Sequence, residues 1–193
     1  DMTDHGSAAA SSLMNALRAT YDASIAVGYS PLVSTSIYCG DYSKQQILWV
    51  MAGNYAVSQG EYTGAELRQM MEWLVNVKDN GANPIRHRNY MPVTSGMEYK
   101  VTEYEQGKFR LEELTINGAP LDDTATYTVF VAGTDVWIEN EVYCNCPMPE
   151  NLKAKRTEYA IEGAESRSCL KDSLAVSKQF PAPSEYLTIV QGE

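Results

Sequence analysis

The sequence predicts an α+β fold, a mixed and largely antiparallel sheet meander packed with helices. Apolar residues recur at helical spacing over residues 7–21 and 63–77. Between Tyr90 and Val131 the period shifts from 3.6 towards 2, and one further helical stretch follows near 165–178. Helices early, a meander in the middle and a helix late are not the alternating order of a parallel α/β sheet.

Residues 7–21, SAAASSLMNALRATY, set Ala10, Leu13, Met14, Leu17 and Tyr21 on one face of an amphipathic helix. SIAVG from Ser24 reads as a short buried strand, and a Pro- and Ser-rich loop runs on to Asp41. YSKQQILWVMAG predicts a short helix from about Ser43 to Gly53, followed by a strand in NYAVSQGEY. In TGAELRQMMEWLVNV, Thr63 and Glu66 form a capping box, each side chain satisfying an orphaned backbone N–H at the helix start. Leu67, Met70, Met71, Leu74 and Val75 then make one apolar stripe, with the methionines as core packing. KDNGANP stops this helix.

The meander begins with MEYKVTEY, where Met97, Tyr99 and Val101 alternate with polar residues. EQGK turns the chain and FRLEELTI returns. Asn117-Gly118 supplies the next turn, and a strand through Tyr127, Val129 and Val131 continues the same antiparallel meander. Residues 139–163 read as loop, with Pro147, Pro149 and a Cys-x-Cys. A helix near 165–178 and a terminal strand at EYLTIV close the chain, and no internal repeat interrupts it.

At 193 residues the chain can bury a core without metals or crosslinks and reads as a single domain over 1–193. Its composition, 44% hydrophobic and 21% charged, is that of a globular protein. A net charge of -10 argues against a nucleic-acid polymer as partner, since phosphate binding rests on Lys and Arg. No apolar run approaches the ~18 residues that would span a bilayer, so membrane insertion is not expected. The chain starts at Asp1 without Met, which leads us to expect a processed form or a piece of something longer.

Visible chemistry is sparse. The four cysteines, Cys39, Cys144, Cys146 and Cys169, lack zinc-site spacing, and their pairing stays open between disulfides and buried thiols; the even count leans towards an exported protein. The histidines are His5 and His87 alone, which removes most His-based centres. Arg86, His87 and Arg88 precede Tyr90 and are either a solvated basic loop or a dock for an anion in an otherwise acidic chain. Glu112 and Glu113 are consecutive in a strand and point to opposite faces, so they are no acid/base pair. No nucleophile elbow, P-loop or dinucleotide fingerprint occurs, and no catalytic or metal-ligating residue is assigned.

The order of motifs adds more. GDYSKQQILWVMAGNYAVSQGEYTGAELRQMMEWLV, then TSGMEYKV, then GKFRLEELTINGAPLDDTATYTVFVAG resembles the C-terminal domain of the 5'-nucleotidase and UDP-sugar hydrolase family. Members of that family show a Gly-Asp-x-Thr opening to a short helix, here Gly40-Asp41-Tyr42-Ser43, then a Thr/Ser-Gly-x-x-Leu helix start, a Ser-Gly turn, a Gly-x-Pro-Leu turn and a Thr-Tyr-x-Val strand, and the elements occur here in that order. The first helix and SCLKDSLAVS fit the same frame. The resemblance implies an upstream metallophosphoesterase domain that holds two divalent metal ions and hydrolyses the ester, while this domain, itself without cofactor, recognises a nucleotide or nucleoside. It also implies an extracellular, cell-surface or periplasmic location.

Family members stack the base between two aromatic rings, and the matching positions here are Tyr90 and Tyr143. Arg86, His87 and Arg88 would supply positive charge nearby. Family cations are missing elsewhere: Ser34 stands nearest the place of one substrate-binding arginine, Thr63 takes the place of a second cation, and IENEV replaces a Gly-Gly-Asp-Gly loop. Loss of bidentate cations should weaken binding of a charged substrate by several kcal/mol. The alternative to a recognition domain is therefore a structural or interaction module of a cell-surface protein with a degenerate pocket. An unrelated enzyme with a new site is the third reading.

Overall fold

The structure, a computed structural model, describes residues 8–29, 41, 43–50, 54–76, 91–105, 108–133 and 148–192. Helices α1 (Ala8–Thr20), α2 (Lys44–Val50) and α3 (Gly64–Asn76) fall where their periodicity places them. α1 buries Ala10, Leu13, Met14 and Leu17, while Tyr21 just beyond it stacks on Phe130 at 4.6 Å. The whole α3 stripe, Leu67, Met70, Met71, Leu74 and Val75, is buried. Each fully buried Leu or Met contributes ~1.5–3 kcal/mol, so these two helices anchor the core.

The strands form two sheets. The five-stranded sheet has the order β3-β1-β7-β2-β8, from β1 (Ile25–Tyr29), β2 (Ala56–Thr63), β3 (Pro92–Ser95), β7 (Thr126–Ala132) and β8 (Ala160–Glu165). The four-stranded sheet runs β6-β5-β4-β9, from β4 (Met97–Glu105), β5 (Lys108–Ile116), β6 (Ala119–Pro120) and β9 (Leu187–Gln191). The β4–β5–β6 run is the expected antiparallel meander, and Asn117 (φ 52°) and Gly118 (φ 77°) make its second turn. The expectation that the meander continues through Val131 is corrected: β7 leaves for the other sheet, parallel to β1 and antiparallel to β2. Local alternation reports a strand but not its partner, and the buried run Val129–Ala132 suits a central strand.

The loop reading of 139–163 is also corrected over its described part, where α4 (Glu150–Glu158) leads into β8. α4 buries only Leu152, so no apolar stripe announces it. Its signals were Pro149 before Glu150 at the start and Lys155 and Arg156 in the last turn, which match the helix dipole. α5 (Ser166–Ser177) then follows, capped by reciprocal Glu165 and Ser168 bonds. It carries Cys169 as a buried free thiol whose pKa burial raises. Cys39, Cys144 and Cys146 lie outside the described residues.

Two backbone joints hold the sheets together. Gly96 (φ 76°) passes the chain from β3 to β4, and a Cβ there would come within 2.4 Å of the Ser24 carbonyl. Beside it Arg18 Nε donates to Ser95 Oγ at 2.8 Å, and Ser95 donates to Asn15 Oδ1 at 2.6 Å, tying the turn to α1. The second joint is Gly64, the first residue of α3. The Asp123 and Ala125 carbonyls accept from the Ala65 and Gly64 N–H groups, each at 3.0 Å, so the segment between β6 and β7 caps α3. Past α5, residues 181–184 are laced onto α1: the Ser184 N–H donates to Ser11 Oγ at 2.7 Å, and Asn15 Nδ2 donates to the Ala182 carbonyl at 2.9 Å. This strap delivers β9 to pair in parallel with β4.

Gly64→Ala should be costly, because its Cβ would lie 2.1 Å from the Asp122 carbonyl, a backbone atom that cannot swing away. We expect a loss of about 2–3 kcal/mol in urea unfolding, against about 1 kcal/mol for Gly118→Ala, where the strain is only the positive φ. Equal losses at the two glycines would contradict the joint.

Candidate functional site

Strand register brings four chain ends to one end of the five-stranded sheet. β1 and β7 run parallel, with Val27 beside Val131, and reach the same edge at Tyr29 and Ala132. β3 and β2 run the other way and begin there, Pro92 opposite Tyr29 and Val57 opposite Ala132. These strand ends flank residues 30–40, 77–90, 134–147 and 51–53, all outside the described residues. The flanks are firm: Met91 and Met148 are buried, and Gly133 (φ 71°) ends β7. A rigid sheet end with long connections is a usual place for binding residues.

Tyr90, Tyr143, Arg86, His87 and Arg88 lie in those undescribed segments, as does Ser34. Thr63 is described, and its side chain is occupied. Its N–H donates to Glu66 Oε2 at 2.8 Å and its hydroxyl accepts from the Glu66 N–H at 3.2 Å, the capping box that the sequence predicts. Lys155 of α4 adds a 2.5 Å ion pair to the same carboxylate and donates to the Glu61 carbonyl at 3.1 Å. Its ammonium also stands 5.4 Å from the centre of the Tyr62 ring. The sequence reading missed Lys155 because its helix was read as loop.

Burial pushes the Glu66 carboxyl up, but Lys155 together with the Thr63 N–H and hydroxyl outweighs burial and holds it below the ordinary carboxylate range. Among the described residues no group of three or more His, Cys, Asp or Glu could hold a metal ion. A cleft of about 220 Å³ opens on the other sheet, lined by Glu98, Lys100, Glu113, Thr115 and Glu185 among others. Its Lys100 is taken by Glu113 at 3.1 Å.

The sequence profile described as "5'-nucleotidase, C-terminal domain" matches residues 3–134. The chain belongs to this family. Its solved relatives share the fold: a 5'-nucleotidase precursor from Thermus thermophilus superposes with a TM-score of 0.63 at 18% identity, covering 95% of this chain and 35% of that one. The Haemophilus influenzae NAD nucleotidase gives 0.68 at 12%, covering 98% and 34%. The Thermus thermophilus sulfate thiohydrolase SoxB, in complex with glycerol, gives 0.62 at 16%, covering 93% and 31%. The chain thus spans about a third of the length of each. No curated protein matches it in sequence.

The 5'-nucleotidase C-terminal domain profile stops near Gly133, yet β8 and β9 beyond it supply an edge strand to each sheet. Within the matched part, Gly64 and Ala65 meet residues 122–125, directly after the Gly-x-Pro-Leu turn, and Ser95-Gly96 meets α1, so the segments around these shared motifs build joints.

Because the folded-state pKa of Glu66 is depressed, its contribution is complete above its unfolded-state pKa and is lost as pH falls through the lower folded value. Urea unfolding of the wild type should therefore weaken from neutral pH into this acid range more steeply than that of Glu66→Gln. Thr63→Ala should cost about 1 kcal/mol at neutral pH. Parallel pH profiles for wild type and Glu66→Gln would refute the assignment.

Proposed function

We propose that residues 1–193 are the single substrate-recognition domain of an exported 5'-nucleotidase-like metallophosphoesterase, inert in hydrolysis alone. The ligand is a nucleotide or nucleoside bound beyond the end of the five-stranded sheet. The observation that carries this reading is the convergence of Tyr29, Pro92, Ala132 and Val57 at one sheet end, which gathers the flanks of every segment holding a sequence-predicted ligand residue. Tyr90 and Tyr143 stack the base, and Arg86, His87 and Arg88 offer positive charge to an anionic group. Hydrolysis belongs to an upstream metallophosphoesterase domain with two divalent ions; residues of this chain bind and orient. The place of action is extracellular, at the cell surface or periplasmic, and no described helix is long and apolar enough to cross a membrane.

One observation favours a second reading, a structural or interaction module with a degenerate pocket. Thr63, at the place of a family cation, is spent on capping α3 and has no charge to give. The upstream sequence separates the two: Asp-x-His and Gly-Asn-His-Asp/Glu motifs of a two-metal phosphoesterase support the first.

Calorimetric titration of the 193-residue chain with adenosine and nucleoside monophosphates should release heat, and Tyr90→Ala should lower affinity about tenfold or more, the scale of one lost base stack. Absence of heat with every nucleotide would sink the ligand while leaving the fold as described.

A further inference from the structure

The contact between α4 and β2 contains two buried hydroxyls without partners among the described residues. Gln59 pairs with Phe130 and reaches the Tyr21 carbonyl, so alternation puts Ser58, Gly60 and Tyr62 on the opposite face, under α4. Gly60 lets the Tyr159 ring lie directly on the strand, since a Cβ there would sit 1.9 Å from that ring. The ring meets Tyr62 edge-on at 5.6 Å, and Tyr159 Oη donates to the Glu61 carbonyl at 3.1 Å. Beneath this lid Ser58 and Tyr62 are each 1% exposed. Among the described residues, neither Ser58 Oγ nor Tyr62 Oη has a hydrogen-bond partner. One orphaned hydroxyl is costly, and two on one patch call for an occupant.

The charge around the patch indicates which. Arg156 follows Lys155 on α4, and its guanidinium acts on the Tyr62 hydroxyl. Burial pushes Tyr62 up to about 12, against the pull of Arg156, and pushes Arg156 down to about 10, so at neutral pH the phenol keeps its proton and the guanidinium its charge. Ser58 lies close enough to ease the Tyr62 shift, although the two oxygens make no direct hydrogen bond. Glu66, the carboxylate that acts on Tyr62, is already held by Lys155 and Thr63. The patch therefore presents O–H donors beside a cation, which favours an acceptor with negative charge over a neutral one.

We propose that Ser58 Oγ, Tyr62 Oη and the Arg156 guanidinium form a buried site for a small monovalent anion, a halide such as chloride, which fastens α4 to β2. This site lies on a sheet face and is separate from the nucleotide reading. Thermal unfolding at constant ionic strength, with chloride replacing the bulky gluconate, tests it. The wild-type midpoint should rise saturably by a few degrees as chloride replaces gluconate. Tyr62→Phe should fold and, having lost an orphaned hydroxyl, should be at least as stable as wild type in gluconate but gain nothing from chloride. Arg156→Gln should likewise lose the chloride increment. Wild-type crystals grown in bromide should show anomalous density within hydrogen-bond reach of Tyr62 Oη and Ser58 Oγ. Equal wild-type midpoints in the two salts, an increment that survives in Tyr62→Phe, or a water in place of bromide would each overturn the proposal.

Discussion

The approach of the Asp122 carbonyl to Gly64 is the contact on which the rest of the structure depends. It needs a residue without Cβ at the start of α3, and it places residues 122–125 where the Asp123 and Ala125 carbonyls close the first turn of that helix. The same segment carries the chain from β6 in one sheet to β7 in the centre of the other. Arg68 and Asp123 add an ion pair at 2.8 Å, but both are exposed and such a pair adds little. The backbone contact sets the geometry, and the buried stripe of α3 supplies most of the energy. Once β7 is seated, its parallel register with β1 and antiparallel register with β2 fix which strand ends meet.

The chain beyond the family match completes what that joint begins. β8 covers the β2 edge and β9 covers the β4 edge, each an edge that would otherwise expose unpaired backbone groups. The strap over α1 is built from serine and asparagine side chains, so its hold comes from hydrogen bonds and not from apolar burial. Buried Ser11 and Ser173, polar residues on helix faces that otherwise read as core, find partners in the Ser184 and Ala16 carbonyls.

Elements with strong local signals were legible in the sequence. The α3 capping box, its methionine stripe and the β4–β5 hairpin appear where pattern and turn residues put them. What stayed hidden depends on distant partners or on weak patterning. α4 buries one leucine and is otherwise polar apart from the exposed Ala154, so its periodicity carries no apolar stripe. β8 alternates only between exposed and half-buried residues, and Gly163 (φ 71°) breaks its regularity. β7 was recognised as a strand, but its neighbour is chosen by a sheet that other segments build. The nucleotide-site candidates came from motif order alone, and they fall where the described structure supplies only the flanks. Ser58 and Tyr62 gave no signal, because a serine and a tyrosine in a strand look ordinary until a helix read as loop covers them.

The family markers in this chain thus have a physical meaning as joints: Thr63-Gly64 against residues 122–125, and Ser95-Gly96 against α1 and Ser24. A joint of this kind couples the helix cap to the central strand, so neither should open alone. Native-state hydrogen exchange of the wild-type chain reads this directly. The amides of Gly64 and Ala65, at the cap, and of Val129 and Val131, in β7, should exchange with the same opening free energy, that of global unfolding. Exchange of Gly64 and Ala65 through a far cheaper local opening, with β7 still protected, would contradict the account.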